Sequence, residues 1–331
     1  MSNYNSASFW VDQILAKDLN ALSKALTLIE SQKKEDQVFA DELIKKLGNH
    51  FGTSKRIAIT GSPGAGKSSL IELLGLQIVN QLSSVAVLSI DPSSYISKGS
   101  ILGDKTRMHR LSLSDKAFVR PSPSSQHLGG VAANTQMSIW LCEAAGFEYI
   151  LIETVGVGQS EIDVSKLTDM TVLVLQPGSG DDLQGIKKGV MEWADLFVVS
   201  KSDGIMESVA QKTAGMISSV ASMLINKHEG WKPKVIQSSN VIPIGIQDIL
   251  QNINDFFVYI KNNSILYEVR NKQLISYFRE KWETNLLAKI NHMDSIAQYQ
   301  KELEGQILLS QIRPEEAVNL LINFTFAHLS K

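Results

Sequence analysis

The chain has 331 residues, with 34 acidic and 32 basic side chains and a formal charge of -2. Such a length buries a sizeable core, in one large α/β domain with appendages or in two domains, and so balanced a charge gives no electrostatic reason to expect nucleic acid or an anionic membrane as partner. Cys142 is the only cysteine, which excludes an intramolecular disulfide or a thiolate metal cluster, and six scattered histidines do not make the metal-holding tract of a metal-insertion factor.

The opening "MSNYNSASFWVDQ" has neither the basic start nor the apolar run of a secretion signal, and no apolar segment approaches the ~20 residues that cross a bilayer. A cytoplasmic, reducing location is the expectation. Val11, Leu15, Leu19, Leu22, Leu26 and Ile29 recur at steps of three and four, so the residues before about Arg56 predict helices with one apolar face. "SQKKEDQ", residues 31–37, reads as a solvated connection, and "VFADELIKKL" resumes a helix that stops at Gly48.

From Arg56 the texture changes to short, unbroken apolar runs at 57–60, 85–90, 149–152, 171–175, 196–199 and 235–236, separated by helical lengths. Unbroken rather than alternating apolar strands belong to a parallel sheet covered on both faces. The centre is therefore predicted to be a doubly wound, mostly parallel α/β domain ending near residue 265. Beyond it the strand signal disappears. Leu274, Phe278, Trp282 and Leu286 are spaced by four, Leu303 and Ile307 follow, and Pro314 ahead of Glu315 and Glu316 marks the first turn of a last helix. A tail this apolar packs on its own domain or pairs with a second copy.

Within the central domain, Gly61, Gly66, Lys67 and Ser68 fit G-x-x-x-x-G-K-[ST] between a predicted strand and a predicted helix, the context the motif requires. The cradle comprises Gly61, Ser62, Pro63, Gly64, Ala65, Gly66, Lys67, Ser68 and Ser69. Its glycines turn backbone N–H groups toward phosphates, Lys67 brings a point charge to the β- and γ-phosphates, and the Ser68 hydroxyl suits Mg²⁺. Mg²⁺ takes oxygen ligands, usually one or two carboxylates beside phosphate and water. Asp91 and Glu153, at the ends of predicted strands, and Asp104 between them are the candidates.

"ETVGVGQSE", residues 153–161, puts two glycines just after a strand, where a switch loop senses a γ-phosphate. Gln159 and Glu161 in it are candidates to orient the attacking water. Base selection falls to Ser200-Lys201-Ser202-Asp203. Guanine readers carry Asn-Lys-x-Asp, where Asp accepts from the guanine N1 and N2 hydrogens, Lys packs over the ring, and Asn binds N7 and ties neighbouring loops. Ser200 replaces the asparagine. An unmatched polar group costs roughly 1–3 kcal/mol, which weakens binding without reversing the preference that Asp203 sets for GTP. A loop at 237–240, "QSSN", with Ser238 and Ser239, is a further candidate to pass beside the base.

"GSPGAGKSSL", "SIDPSS", "SKGSILGDKTRM", "RPSPSSQHLGGVA", "ILIETVGVGQSE" and "LQPGSGDDLQGIKKGVMEWADLFVVSKSDG" occur in this order and together closely resemble the MeaB/ArgK family of P-loop GTPases. The likeness runs over nearly the whole chain, and "SILGDKTRM" and "PGSGDDLQGIKKG" are far more specific than the cradle. It implies a GTP-dependent chaperone of an adenosylcobalamin-dependent acyl-CoA mutase, methylmalonyl-CoA mutase above all, that gates loading of the cofactor and protects against its damage. It implies a homodimer through C-terminal helices and slow hydrolysis that the mutase accelerates. Carried over by position, GTP or GDP sits in the cradle; Ser68, Asp91, Asp104 and Glu153 associate with Mg²⁺; Lys201 and Asp203 read guanine. Residues 176–188 correspond to a switch that responds to the mutase, with Asp182, Gln184, Lys187 and Lys188 coupling nucleotide state to partner.

Gln126 departs from the glycine usual in that family. The implied division is an N-terminal helical region at 1–54, a P-loop GTPase domain at 55–265 and a helical dimerisation region at 266–331. An added cation such as Lys187 or Lys188 would complete a slow site when a partner docks. No Asp-x-His-x-x-Gly pattern accompanies His109 or His127, so the corrinoid is expected on the partner. An older label of the family, a kinase of a lysine/arginine/ornithine transport system, supplies the rival reading, an ATP-dependent small-molecule or protein kinase.

Overall fold

Three helices precede the sheet. In the computed structural model, which describes residues 6–31, 33–48, 50–90, 108–121, 131–154, 159–178, 188–224, 227–242 and 244–329, and only the backbone of 121, 131, 159–162, 188 and 189, these are α1 (Ala7–Leu15), α2 (Leu19–Ile29) and α3 (Lys34–Leu47). Ser6 Oγ accepts from the Phe9 N–H at the start of α1, and Asp18 Oδ1 accepts from Asn20 and Ala21 at the start of α2. Caps of this kind are worth about 1 kcal/mol each. The predicted apolar face is divided between two helices by a turn in which Lys17 has φ 65°. Val11, Leu22, Leu26 and Ile29 are buried on it, while Leu15 and Leu19 at the break are half-buried.

The expected solvated connection at 31–37 is shorter than predicted, because α3 already starts at Lys34. Its charged run is the first turn of a helix: Glu35 and Asp36 lie where the helix dipole favours acids, and Asp36 accepts from Ser31 Oγ at 2.5 Å. Gly48, at φ 59°, stops α3 as expected.

Among the described residues seven strands follow: β1 (Lys55–Gly61), β2 (Val85–Ile90), β3 (Ala117–Pro121), β4 (Tyr149–Thr154), β5 (Met170–Leu175), β6 (Leu196–Val199) and β7 (Lys234–Gln237). Their order is β3-β2-β4-β1-β5-β6-β7, and every pairing is parallel. Six are the predicted apolar runs. The seventh, β3, has no such signal because its sequence is AFVRP. Among the described residues it pairs with β2 alone, and an edge strand tolerates a proline that lacks a donor. Its Arg120 is spent on α2, donating to the Ser23 carbonyl at 2.9 Å and to Glu30 at 2.6 Å.

The helices between strands are α4 (Lys67–Asn80), α5 (His109–Ser112), α6 (Val131–Ala144), α7 (Gln159–Leu167), α8 (Lys188–Glu192) and α9 (Glu207–Ala221), and α10 (Ile246–Asn262) follows the last strand. Both sheet faces are covered. Val172 and Val174 share a core with Leu70, Ile71 and Leu74 of α4 and Ile249, Ile253 and Phe256 of α10. Their neighbours Leu173 and Leu175 join Ala210 and Ile217 of α9 in another. Adjacent residues pointing to opposite apolar layers explain why these strands read as unbroken apolar runs. Helix α6 packs against α1, α2 and α3.

Contacts divide the chain into two compact units, Met1–Gln273 and Leu274–Lys331. At the N-terminal edge of the sheet, within the first unit, five polar side chains close on one another. Arg56 donates to Glu143 from Nε at 2.9 Å and from a terminal nitrogen at 2.8 Å, and to Gln273 Oε1 at 3.1 Å. Arg270, on α11 (Ile265–Asn291), forks onto Asp169 at 3.0 and 2.8 Å. Burial works to lower the Arg270 pKa, but the Asp169 hydrogen bond and the charges of Asp169 and Glu143 together raise it. Asp169 also accepts from the Arg56 N–H, and Asp195 accepts from that of Thr171, so acids placed before β5 and β6 hold the starts of the adjoining strands.

The second unit contains α12 (Asp294–Leu308) and α13 (Pro314–Leu329), which pack together, with Tyr299 and Phe324 rings 4.4 Å apart. Pro314 opens the last helix as predicted. Ile296, Leu303 and Ala317 are buried, yet Leu274, Phe278, Trp282 and Phe326 are 50%, 66%, 57% and 66% exposed. Among the described residues, no helix is long and apolar enough to cross a membrane.

Candidate functional site

The cradle stands at the C-terminal edge of β1, the strand at which the chain switches from building one half of the sheet to the other. Ligands of open parallel sheets bind at such a point. Gly61 ends β1 opposite Val174 of β5, and a Cβ there would lie 2.1 Å from the Val174 carbonyl oxygen at φ +145°. Only glycine fits. Ser62, Pro63 and Gly64 are exposed, Ala65 is buried, and Gly66, at φ 89°, starts α4 without a side-chain cap. The uncapped N–H groups of that first turn suit a phosphate. Lys67 is buried, and its Nζ donates to the carbonyls of Gly61 at 2.7 Å and Ser62 at 3.0 Å, which stations the ammonium over the loop.

The next residue, Ser68, donates from Oγ to Glu153 Oε1 at 2.6 Å, across 85 positions of sequence. Register explains the meeting: Glu153 lies between Ile59 of β1 and Ser89 of β2, and Ser89 Oγ donates to its second oxygen at 3.4 Å. Strand β4 runs on to Thr154, whose hydroxyl donates to Thr60 at 2.9 Å, so Glu153 lies within the strand rather than ending it as expected. A hydroxyl and a carboxylate converging beside a phosphate cradle are the oxygen donors Mg²⁺ takes. Ser69 is exposed one residue further along α4. Asp91, Asp104, Gln126, His127, Asp182, Gln184 and Lys187 lie outside the described residues, as do the side chains of Gln159, Glu161 and Lys188.

The base-reading residues cluster after β6. Ser200 is buried; its N–H and Oγ both donate to the Leu175 carbonyl, at 2.9 and 3.1 Å. Ser202 donates to the Val199 carbonyl, pinning the turn. Lys201 adopts a left-handed φ of 53° and is exposed, with Nζ donating to Gln176 Oε1 at 3.1 Å. Gln176 in turn donates to the Pro63 carbonyl at 3.3 Å, linking the cradle to the base loop through the first residue of the 176–188 segment.

Asp203 Oδ1 accepts from Ser239 Oγ at 2.6 Å, which fixes the carboxylate from the loop after β7. That loop is itself held by sheet-like bonds, Ser238 N–H to Val199 and Ser202 N–H to Ser238. Sequence reading names Ser238 and Ser239 in this loop but not the contact with Asp203. It misses Ser89 and the Gln176 bridge, because a lone serine within an apolar strand or a glutamine just after one carries no local signal.

His228 and Cys142 stay apart from this chemistry. Burial, outweighing the Asp195 charge, lowers the His228 pKa below its ordinary value, and burial pushes the Cys142 thiol far up, leaving it inert.

A seven-stranded parallel sheet, a glycine-rich cradle at the end of β1 and a Lys-x-Asp turn after β6 define a P-loop nucleotide-binding protein of the GTPase type. The family model described as "Methylmalonyl Co-A mutase-associated GTPase MeaB" matches residues 22–295, and the chain belongs to this family of GTPases. It is 37% identical over 303 residues to "GTPase ArgK" of Escherichia coli (strain K12), covering 92% of each chain. It is also 37% identical over 317 residues to "Methylmalonic aciduria type A homolog, mitochondrial" of Caenorhabditis elegans, covering 92% of this chain and 79% of the relative. Among solved structures, the "LAO/AO transport system kinase" superposes with a TM-score of 0.75 at 28% identity, covering 98% of this chain and 99% of that one.

Proposed function

We propose that the chain binds GTP with Mg²⁺, hydrolyses it slowly, and uses the cycle to gate cofactor loading or protection in an adenosylcobalamin-dependent acyl-CoA mutase of the methylmalonyl-CoA type. The observation that carries the nucleotide part is Asp203, held by Ser239 on the same sheet edge as the cradle. A fixed carboxylate there pairs with the N1 and N2 hydrogens of guanine and has no counterpart in adenine. The mutase part rests on membership of a family of methylmalonyl Co-A mutase-associated GTPases.

In this reading Gly61, Ser62, Pro63, Gly64, Ala65, Gly66, Ser68 and Ser69 line the phosphates and Lys67 neutralises them. Lys201, Asp203, Ser200, Ser238 and Ser239 surround the base. Ser68 and Glu153, with Asp91 and Asp104, hold Mg²⁺, which neutralises charge on the phosphates when bound. Gln159 orients the water, and Lys188 completes the charge when the partner docks. Phosphoryl transfer to water asks for positioning and charge neutralisation rather than covalent chemistry, so a site lacking its last cation turns over slowly.

The exposed apolar residues of the second unit support pairing of the 266–331 region with a second copy. Light scattering checks this: a dimer is expected, and a monomer with Trp282→Glu. The solved relative, an LAO/AO transport system kinase, favours one rival, an ATP-dependent kinase. Asp203 opposes it. Calorimetry should show GTP bound far more tightly than ATP, an Asp203→Asn variant should lose about 10²-fold in GTP affinity, and phosphate should appear on water rather than on an amino acid or protein histidine. A pull-down with and without a non-hydrolysable GTP analogue should recover a cobalamin mutase in one nucleotide state only; recovery in neither state refutes the chaperone assignment.

A further inference from the structure

A guanine site asks two things of the asparagine that precede lysine and aspartate in its reading turn: a donor for purine N7 and a tie to the phosphate cradle. Ser200 can supply neither. It is 3% exposed, its hydroxyl is committed to the Leu175 carbonyl at 3.1 Å, and its side chain is one atom shorter in reach than asparagine's.

The position is filled from elsewhere. A methyl carbon built on Gly66 would lie 3.3 Å from Asn240 Nδ2 and 3.9 Å from both Cβ and Oγ of Ser200. The Asn240 amide therefore stands at the junction of the last cradle glycine and the residue that replaces asparagine. It is set there by its own loop: Ser239 Oγ, which donates to Asp203, accepts from the N–H groups of Val241 at 3.1 Å and Ile242 at 3.3 Å, closing a turn around Asn240. Among the described residues the Asn240 side chain makes no hydrogen bond, so both amide N–H donors are uncommitted.

We propose that Asn240, from the loop after β7, supplies the amide donor that Ser200 lacks and is a specificity-determining, base-binding residue of this site. Guanine presents two acceptors, N7 and O6, along one edge, whereas adenine presents N7 beside an amino donor. An amide NH₂ aimed at that edge matches guanine and opposes adenine, complementing Asp203 on the far side of the ring. The inference rests on the guanine reading above.

Equilibrium titrations of the full chain with GDP, 7-deaza-GDP and ADP test it, on the wild type, Asn240→Ala, Asn240→Asp, Ser200→Asn and the Ser200→Asn/Asn240→Ala double variant. Wild type should bind 7-deaza-GDP roughly tenfold more weakly than GDP, the loss of one hydrogen bond. Asn240→Ala should lose roughly tenfold for GDP and bind the two nucleotides alike. Ser200→Asn should restore GDP binding in the Asn240→Ala background to within a few-fold of the wild type. Asn240→Asp keeps the side-chain volume and turns the donor into an acceptor; it should lose at least as much as the alanine variant, and it reads the donor if alanine perturbs folding. Unchanged GDP affinity in both Asn240 variants, or retained 7-deaza discrimination, overturns this inference alone. Equal binding of GDP and ADP by the wild type overturns the guanine reading and this inference with it.

Discussion

The two edges of the sheet are built in opposite ways. At the C-terminal edge, Lys67 bonds to loop carbonyls and Glu153 to the hydroxyls of Ser68 and Ser89, contacts that a phosphate or a cation replaces like for like. At the N-terminal edge, Arg56, Glu143, Asp169, Arg270 and Gln273 satisfy each other in bidentate pairs with little access to water. The first edge is arranged for exchange with a ligand. The second is arranged so that nothing moves, and it ties the start of α11 to the root of β1. Buried charges are stable only in company, so that edge is also the more fragile to single changes.

The largest effect should therefore come from the edge without a ligand. Glu143→Gln leaves Arg56 buried without its counter-charge and should cost about 3–5 kcal/mol in urea unfolding, while the folded fraction keeps its nucleotide affinity. Weakened nucleotide binding in the folded fraction would break the separation of the edges. Lys67→Ala should do the converse, lowering GTP turnover by about 10²-fold or more with an unchanged unfolding midpoint; undiminished hydrolysis would remove Lys67 from the phosphates.

A smaller change sharpens the picture within the site. Lys188→Ala should lower the mutase-stimulated rate by about tenfold or more and leave the basal rate nearly intact, and equal losses would take that lysine out of the coupling role.

The smallest effect is expected from pH at the root of β6. His228 lies 3.6 Å from Asp195 with a pKa below its ordinary value, so the folded chain favours the neutral ring and the unfolded chain takes up the proton first. Stability from this source is complete above the unfolded pKa of about 6.5 and declines as pH falls below it toward the folded value. Thermal unfolding at pH 7.5 and 5.5 should show the decline, with a shallower slope for His228→Asn; identical slopes would assign the pH dependence to other groups.

Much of the molecule was legible in one dimension. Runs of apolar residues located six of the seven strands, and two of these, β2 and β6, run over the residues expected. The cradle was legible because its residues are contiguous and each answers a local demand, such as the positive φ of Gly61 and Gly66. Strand β3 was not, since Arg120 and Pro121 interrupt its pattern and only its place at the edge makes them acceptable. The first turn of α3 was misread as solvated connection because charge alone does not distinguish a loop from an exposed helical face.

What sequence alone determined is thus the short-range part: helix and strand periodicity, the phosphate loop and the guanine-type turn, all encoded within a few residues of one another. Tertiary structure alone decided other meetings of distant side chains: Ser89 with Glu153, Gln176 with Lys201, Asn240 beside Gly66, and Arg56 with Glu143. Those meetings depend on strand order and register, which bring residues tens of positions apart to one edge of the sheet, and no local propensity carries that information.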